Sequence, residues 1–124
     1  MKSKTIIITL VSIALFAITS CKKEGMGGKS TVKGYVKHHS VFIPNATVYI
    51  KYGATEFPGA DVSVYNTSVQ ADASGYYEIK NLQKGHYYLY GVGVDAGISE
   101  NVYGGISVSL RRKEVIEKDV FVVE

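Results

Sequence analysis

The chain has 124 residues, of which 46% are hydrophobic, and its formal net charge is +3. This length suits one domain with a core of its own. The charge excess is small and no basic stripe alternates with aromatic residues, which excludes a typical nucleic-acid-binding protein. One cysteine is present, so an internal disulfide is excluded because it would need two.

The N-terminus has the layout of a secretory signal. Lys2 and Lys4 form a positively charged start, residues 5–19 are an apolar run, and small residues precede Cys21. Residues 18–21 resemble the lipobox of bacterial lipoproteins, which implies cleavage before Cys21 and acylation of that cysteine. Two or more acyl chains would anchor the domain stably to a membrane. A retained membrane helix is the alternative, although the run is shorter than the ~20 residues that span a bilayer.

This organisation divides the chain into three parts. Residues 1–20 are interpreted as a lipoprotein signal peptide, 21–30 as a flexible lipidated tether rich in lysine, glycine and serine, and 31–124 as the domain. Lys22 follows the cysteine, and bacterial sorting retains lipoproteins in the inner membrane when aspartate holds that position. The resemblance therefore implies an outer-membrane protein, lipid-anchored on the periplasmic or the cell-surface face.

From residue 31 onward, hydrophobic residues recur with a period of two, which predicts strands. The alternation runs through residues 32–37, 48–51, 76–80, 87–90, 106–110 and 120–123. Turn-forming residues separate these segments, namely Pro44-Asn45, residues 72–75 and Lys84-Gly85. Short strands between turns are typical of an antiparallel β-sandwich, so the predicted fold class is all-β.

Two motifs in these segments resemble the carboxypeptidase regulatory-like family. The first is Val32-Lys33-Gly34-Tyr35-Val36 followed by Ile43-Pro44-Asn45-Ala46-Thr47-Val48-Tyr49-Ile50. The second is Asp72-x-x-Gly75-x-Tyr77-x-Ile79-x-Asn81-Leu82-x-x-Gly85-x-Tyr87-x-Leu89. The resemblance covers about residues 30–124 and implies a seven-stranded, transthyretin-like antiparallel β-sandwich. It implies no active site, because the family shares none.

Three motif residues have predicted roles in the fold. Gly34 should let the opening strand either pass close to a neighbour or kink. Asp72 should accept hydrogen bonds from the backbone of its own turn. Tyr87 follows a glycine turn and should form a tyrosine corner, in which the hydroxyl bonds to the backbone upstream. Its neighbour Tyr88 should then point outward.

The three histidines are predicted to be solvent-exposed and not to bind a metal. His38 and His39 end one strand, and His86 begins another. Adjacent strand residues point to opposite faces, whereas a metal needs about three or four converging ligands. No recognisable set of nucleophile, base and orienting residue occurs either, so neither an enzyme nor a cofactor is expected.

Tyrosines provide the remaining functional signal. Tyr49, Tyr76, Tyr88 and Tyr90 fall on the outward phase of their strands and are predicted to form a candidate binding face. Flat aromatic surfaces suit sugar rings or a protein partner. The alternative is that these tyrosines are present only because tyrosine favours strands.

The connection at residues 53–67 is longer than a hairpin needs. It is either a binding loop or a plain surface loop, and Val62 to Val64 could add a short strand. Together the patterns predict a non-catalytic cell-envelope lipoprotein that contacts the membrane through Cys21 and has an envelope protein or a glycan as a candidate partner. The alternative is a carbohydrate- or peptide-binding accessory lipoprotein of a surface nutrient-uptake system.

Overall fold

A computed structural model describes residues 23–124, so Cys21 and the predicted signal lie outside the described residues. The strands are β1 (Met26–His38), β2 (Val41–Phe42), β3 (Thr47–Tyr52), β4 (Thr67–Gln70), β5 (Tyr76–Leu82), β6 (Gly85–Asp95), β7 (Glu100–Leu110), β8 (Val115–Glu117) and β9 (Val120–Phe121). A single turn of 3-10 helix spans Val62–Val64. Residues 23–124 include no helical segment of the length and hydrophobicity that a membrane span requires.

The strands form two sheets. In the first sheet, β1 pairs antiparallel with β2 and β5 and parallel with β8 and β9. The second sheet has the order β4-β3-β6-β7 and is antiparallel throughout. Two backbone hydrogen bonds of 2.9 Å between Tyr103 and Val123 connect β7 to the chain after β9. This connection joins the two sheets along one edge.

The all-β class is confirmed, but two details differ from the prediction. Residues 23–124 contain nine strand segments, not seven, and β8 and β9 run parallel to β1. The break between β8 and β9 is bridged by Lys118, whose N–H donates to the Lys33 carbonyl at 2.8 Å. Asp119 Oδ1 also accepts from the Tyr35 N–H at 3.0 Å. The final segment therefore follows the edge of β1 with its hydrogen bonds satisfied.

The inner faces of both sheets share one hydrophobic cluster. The first sheet contributes Val32, Val36, Tyr77, Ile79, Leu82 and Val120, and the second contributes Val48, Ile50, Tyr87, Leu89, Val102, Val108 and Leu110. Each such side chain stabilises the fold by roughly 1.5–3 kcal/mol through burial. Gly34 confirms its predicted role, because a Cβ there would lie 2.1 Å from the Lys118 carbonyl oxygen.

The first strand begins at Met26, within the segment predicted to be a tether. Its pairing with β5 is irregular between Met26 and Val32. A Cβ at Gly28 would lie 2.1 Å from the Leu82 carbonyl oxygen, so only glycine allows the two backbones to approach this closely. Gly28, one of the glycines that suggested flexibility, thus serves close pairing, and β1 starts before residue 31.

The tyrosine corner is confirmed. Tyr87 is fully buried, and its hydroxyl donates to the Gln83 carbonyl at 2.6 Å. The Gly25 N–H donates to the same hydroxyl at 2.9 Å. Tyr87 therefore ties the residues before β1 to the turn between β5 and β6. The turn role of Asp72 is confirmed as well, since Oδ1 accepts from Ser74 N–H at 2.8 Å and Tyr76 N–H at 3.0 Å.

Candidate binding face

The four candidate tyrosines lie on two different sheets. Tyr49 on β3 and Tyr88 and Tyr90 on β6 lie on the outer face of the second sheet, with Tyr49 directly opposite Tyr90. Tyr76 lies on β5, in the first sheet. The expectation that all four share one face is therefore wrong for Tyr76. Alternation tells whether a side chain points outward, but it does not tell which sheet its strand joins.

Tyr90 points away from the core and is nevertheless only 4% exposed. Residues 53–67 fold back over it. The Tyr65 ring stacks on the Tyr90 ring with centroids 5.6 Å apart and an interplanar angle of 12°. The Phe57 ring lies 5.4 Å from Tyr90 and 5.9 Å from Tyr88. The expectation that Tyr90 is an exposed contact residue is corrected by this covering loop.

The loop is held in place by its own hydrogen bonds. The Tyr65 hydroxyl donates to the Gly59 carbonyl at 2.9 Å, and burial raises the pKa of Tyr65 to about 12. Asn66 Oδ1 accepts from the Tyr52 N–H at 2.8 Å, which secures the end of the loop against β3. Asp61 caps the 3-10 turn through the Ser63 N–H at 3.0 Å. That turn replaces the short strand considered for Val62 to Val64.

The resulting surface is called the aromatic face here. It consists of Tyr49, Phe57, Tyr65, Tyr88 and Tyr90, which are linked by ring contacts, and of Tyr103 on β7, which pairs with Val92 on the same outer face. Phe57 is 53% exposed and Tyr103 is 48% exposed, whereas Tyr65 and Tyr90 form a buried base. Burial raises the pKa of Tyr90, and the neighbouring Tyr103 and Tyr88 add to that increase.

Gly105 shapes the surface beside Tyr88. A Cβ at Gly105 would lie 2.5 Å from Tyr88 Cε1 and 2.9 Å from the Tyr88 hydroxyl oxygen. The Tyr88 side chain can therefore lean across β7 at this position, and it stays partly exposed. Exposed aromatic rings with nearby phenol hydroxyls can stack on a ligand and also hydrogen-bond to it. Phe57 and Tyr103, which complete the surface, were not identified from the sequence. Phe57 lies in a loop, and Tyr103 lies before residues 106–110, where the alternation was recognised, although β7 extends back to Glu100.

Tyr76 belongs to a smaller cluster on the first sheet. Its ring packs edge to face on Tyr35 at 5.4 Å, and Phe42 stacks on Tyr35 at 4.7 Å. The Tyr76 hydroxyl donates to Glu78 Oε2 at 3.0 Å. Lys37 lies over the Phe42 ring at 5.4 Å. These contacts give the Tyr76 hydroxyl and the Lys37 ammonium partners within the cluster and leave Tyr76 separate from the aromatic face.

His38 contradicts its prediction, because it is buried and not solvent-exposed. Its Nδ1 lies 2.8 Å from Asp95 Oδ2, and its Nε2 contacts Glu124 Oε2. The hydrogen bond to Asp95 raises the pKa of His38 and lowers that of Asp95. The signal was present in the sequence, since His38 continues the inward phase of Val32 and Val36. His39 and His86 are exposed as predicted.

The His38–Asp95 pair has no nucleophile beside it. In residues 23–124, both ring nitrogens of His38 are occupied by carboxylates, and no hydroxyl or thiol hydrogen-bonds to either one. Activation of a serine or cysteine would require such a contact.

A cationic groove of about 440 Å³ lies beside the start of β1. Four basic side chains line it, namely those of Lys29, Lys84, Arg112 and Lys113. The groove is lined by none of the aromatic-face residues. It lies close in the chain to the segment that leads back toward Cys21.

No family model and no curated protein matches this chain. The resemblance to the carboxypeptidase regulatory-like family accordingly stays a prediction. Among solved structures, the chain is similar to the crystal structure of "a putative carbohydrate binding protein" from Pseudomonas aeruginosa. The likeness is one of fold. It has a TM-score of 0.54 at 11% sequence identity, and it covers 78% of this chain and 90% of that one.

Proposed function

We propose that this protein is a non-catalytic envelope lipoprotein whose aromatic face binds carbohydrate. The observation that carries the proposal is the setting of Phe57, which is 53% exposed and rests against Tyr88 and Tyr90. A loop that only closed the fold would be expected to bury its phenylalanine. Here the loop buries Tyr65 instead and presents Phe57 to solvent. Exposed aromatic clusters of this kind mark contact sites.

Carbohydrate suits the chemistry of the face. Sugar rings have apolar C–H surfaces that stack on aromatic rings, and hydroxyls that bond to polar groups. The face supplies both, because Tyr88 and Tyr103 add phenol hydroxyls beside the Phe57 ring. Ser107 and Lys51 lie across from Tyr88 on the neighbouring strands. The designation of the similar Pseudomonas structure supports testing carbohydrates first.

The buried base favours binding because it fixes the exposed rings before a ligand arrives. Tyr65 stacks on Tyr90 and is held by its bond to the Gly59 carbonyl. Phe57 then rests on rings that are themselves supported by β6. A preorganised surface loses less conformational entropy on binding.

A protein partner is the second candidate. The 3-10 turn of the same loop exposes Val62 at 43% and Val64 at 39%. Aliphatic side chains of this kind contribute little to sugar stacking but suit an apolar protein surface. An envelope protein would then contact the turn and the aromatic face together.

The lipid anchor at Cys21 is part of the proposal. The signal layout supports it, as does the cationic groove close in the chain to the tether. Basic side chains near a membrane surface are attracted to anionic headgroups. Metabolic labelling with an alkyne palmitate tests the anchor by comparing wild type with Cys21→Ser. We expect label on the wild type alone, and equal labelling of the two would contradict the anchor.

A glycan array followed by calorimetry tests the binding function. We expect the full chain in detergent to bind a subset of glycans, and Phe57→Ala to weaken that binding by about tenfold or more. Phe42→Ala is the matched control, because it removes a similarly exposed, tyrosine-stacked ring from the other sheet. An equal loss in both variants would contradict the proposed location. A wild-type chain that binds no glycan would contradict the carbohydrate proposal and direct attention to the protein partner.

A further inference from the structure

His38, His39 and Glu124 lie together at one end of the molecule, and none of them belongs to the aromatic face. One ligand atom of each lies within 4.8 Å of the others. His38 is the last residue of β1, and Glu124 follows β9. Asp95, at the end of β6, contacts His38 from the other side. Three separate segments of the chain therefore meet at His38.

The two histidines converge because the chain leaves the strand between them. Adjacent residues on a regular strand point to opposite faces. His39, however, has a φ of 56°, in the left-handed region, which turns its side chain out of the strand pattern. The two ring centroids are 4.5 Å apart as a result. The sequence argument against convergence fails at this residue.

Asp95 fixes which nitrogen of His38 carries a hydrogen. Asp95 is buried, and its Oδ1 accepts from the Gly97 N–H at 3.0 Å. Its Oδ2 is 2.8 Å from His38 Nδ1, so Nδ1 is the donor of that pair. In the neutral ring, Nε2 then presents a lone pair. A carboxylate that accepts from a histidine in this way is the usual support of a metal-bound imidazole.

The lone pair of Nε2 faces an oxygen of Glu124, which is also an acceptor. Two acceptors in contact repel unless a positive centre lies between them. In the metal-free chain that centre is a proton, because two atoms in hydrogen-bond contact leave no room for a metal ion. The exposed Glu124 carboxylate can move away, and His38 Nε2, Glu124 and the nearby His39 ring then offer three donor atoms to a metal ion that replaces the proton.

We propose that His38 Nε2, His39 and Glu124 bind a divalent transition metal ion, with Asp95 orienting His38. Two imidazoles and a carboxylate are a donor set that suits Zn²⁺, with a fourth position open to water. Ligand atoms bound to one tetrahedral Zn²⁺ lie about 3.4 Å apart. His38 is fixed by burial, while His39 and Glu124 are exposed and can rotate by the small amount required.

Binding of Zn²⁺ to the metal-free full chain tests the site, measured by competition with a chromophoric chelator. We expect one Zn²⁺ per chain. In both His39→Ala and Glu124→Gln, Zn²⁺ should bind at least about tenfold more weakly than in the wild type. Both side chains are exposed, so neither change should unfold the protein. His86→Ala is the control, because His86 is exposed and lies about 30 Å away along β6. We expect it to bind as the wild type does.

Thermal unfolding gives an independent readout. Zn²⁺ should raise the melting temperature of the wild type and of His86→Ala, but not that of His39→Ala, because a ligand bound only by the folded state stabilises that state. The proposal is overturned if the wild type binds no Zn²⁺ at about 100 μM. It is also overturned if His39→Ala and Glu124→Gln bind as tightly as the wild type. Either result would leave a proton as the positive centre.

Discussion

The outer faces of the two sheets carry similar aromatic residues in different settings. On the first sheet, Tyr35, Phe42 and Tyr76 pack on one another and remain at least partly exposed. On the second sheet, Tyr90 has the same outward phase and is almost fully buried. Residues 53–67 make the difference, because Tyr65 and Phe57 cover Tyr90. A covering loop can thus bury an outward-pointing residue such as Tyr90 while the inward and outward alternation of β6 stays the same.

The loop also decides which rings remain available to a ligand. It buries Tyr90 beneath its own Tyr65 and adds Phe57 at the surface. The first sheet carries no covering loop within residues 23–124. Its aromatic rings instead pack on one another, and the Tyr76 hydroxyl donates to Glu78. We therefore expect the two faces to respond very differently to mutation.

The largest expected difference is between Tyr90→Ala and Tyr76→Ala. Tyr90→Ala should lower the free energy of unfolding by about 3 kcal/mol, because it removes a buried ring that supports both Tyr65 and Phe57. Tyr76→Ala should cost about 1 kcal/mol or less, because its ring is partly exposed. Urea denaturation of both variants measures the difference. Equal costs would show that the loop does not bury Tyr90 as described.

A smaller effect is expected at Tyr87, which lies on the inner side of the same strand. Tyr87→Phe should cost about 1–2 kcal/mol, because it removes the partner of the Gln83 carbonyl and the Gly25 N–H. Tyr88→Phe is the neighbouring control and should change stability by less than about 0.5 kcal/mol. Denaturation midpoints decide the order. A larger cost at Tyr88 would reverse the assignment of inner and outer positions on β6.

The smallest effect concerns alkaline pH. Burial raises the pKa of Tyr65 from 10.0 to about 12, so its phenol ionises more readily in the unfolded chain. Its contribution to stability is fully present below pH 10 and is lost as pH rises from 10 toward 12. Tyr65→Phe should therefore show a shallower decline in stability over this interval. Urea midpoints at a series of pH values test this, and identical slopes would argue against a buried Tyr65 phenol.

Strand phase could be predicted from the sequence, and the positions of Tyr87 and Gly34 agree with it. The hydrogen bond of the Tyr87 hydroxyl could be predicted as well, because Tyr87 follows a glycine turn. Those predictions depend on neighbours in the chain or on local turn geometry. They hold because alternation along a half-buried strand is a local property.

The remaining features depend on contacts distant in the chain. Tyr76 and Tyr88 lie on different sheets, and the pairing of their strands decides this. Tyr90 is buried by a loop whose path the alternation does not describe. His39 turns toward His38 because its own backbone is left-handed, and a two-residue period does not indicate such a residue. Gly28 appears in a linker-like sequence, yet it serves a close backbone contact that only the fold reveals.

The most direct test of the aromatic face is an NMR titration of the full chain in detergent with a glycan selected from the array. The ring resonances of Phe57, Tyr88 and Tyr103 report on the second sheet, and those of Tyr35 and Phe42 report on the first. We predict shifts in the first group that saturate with glycan concentration, and none in the second group. Shifts confined to Tyr35 and Phe42, or no saturable shift in either group, would contradict the aromatic face as the binding site.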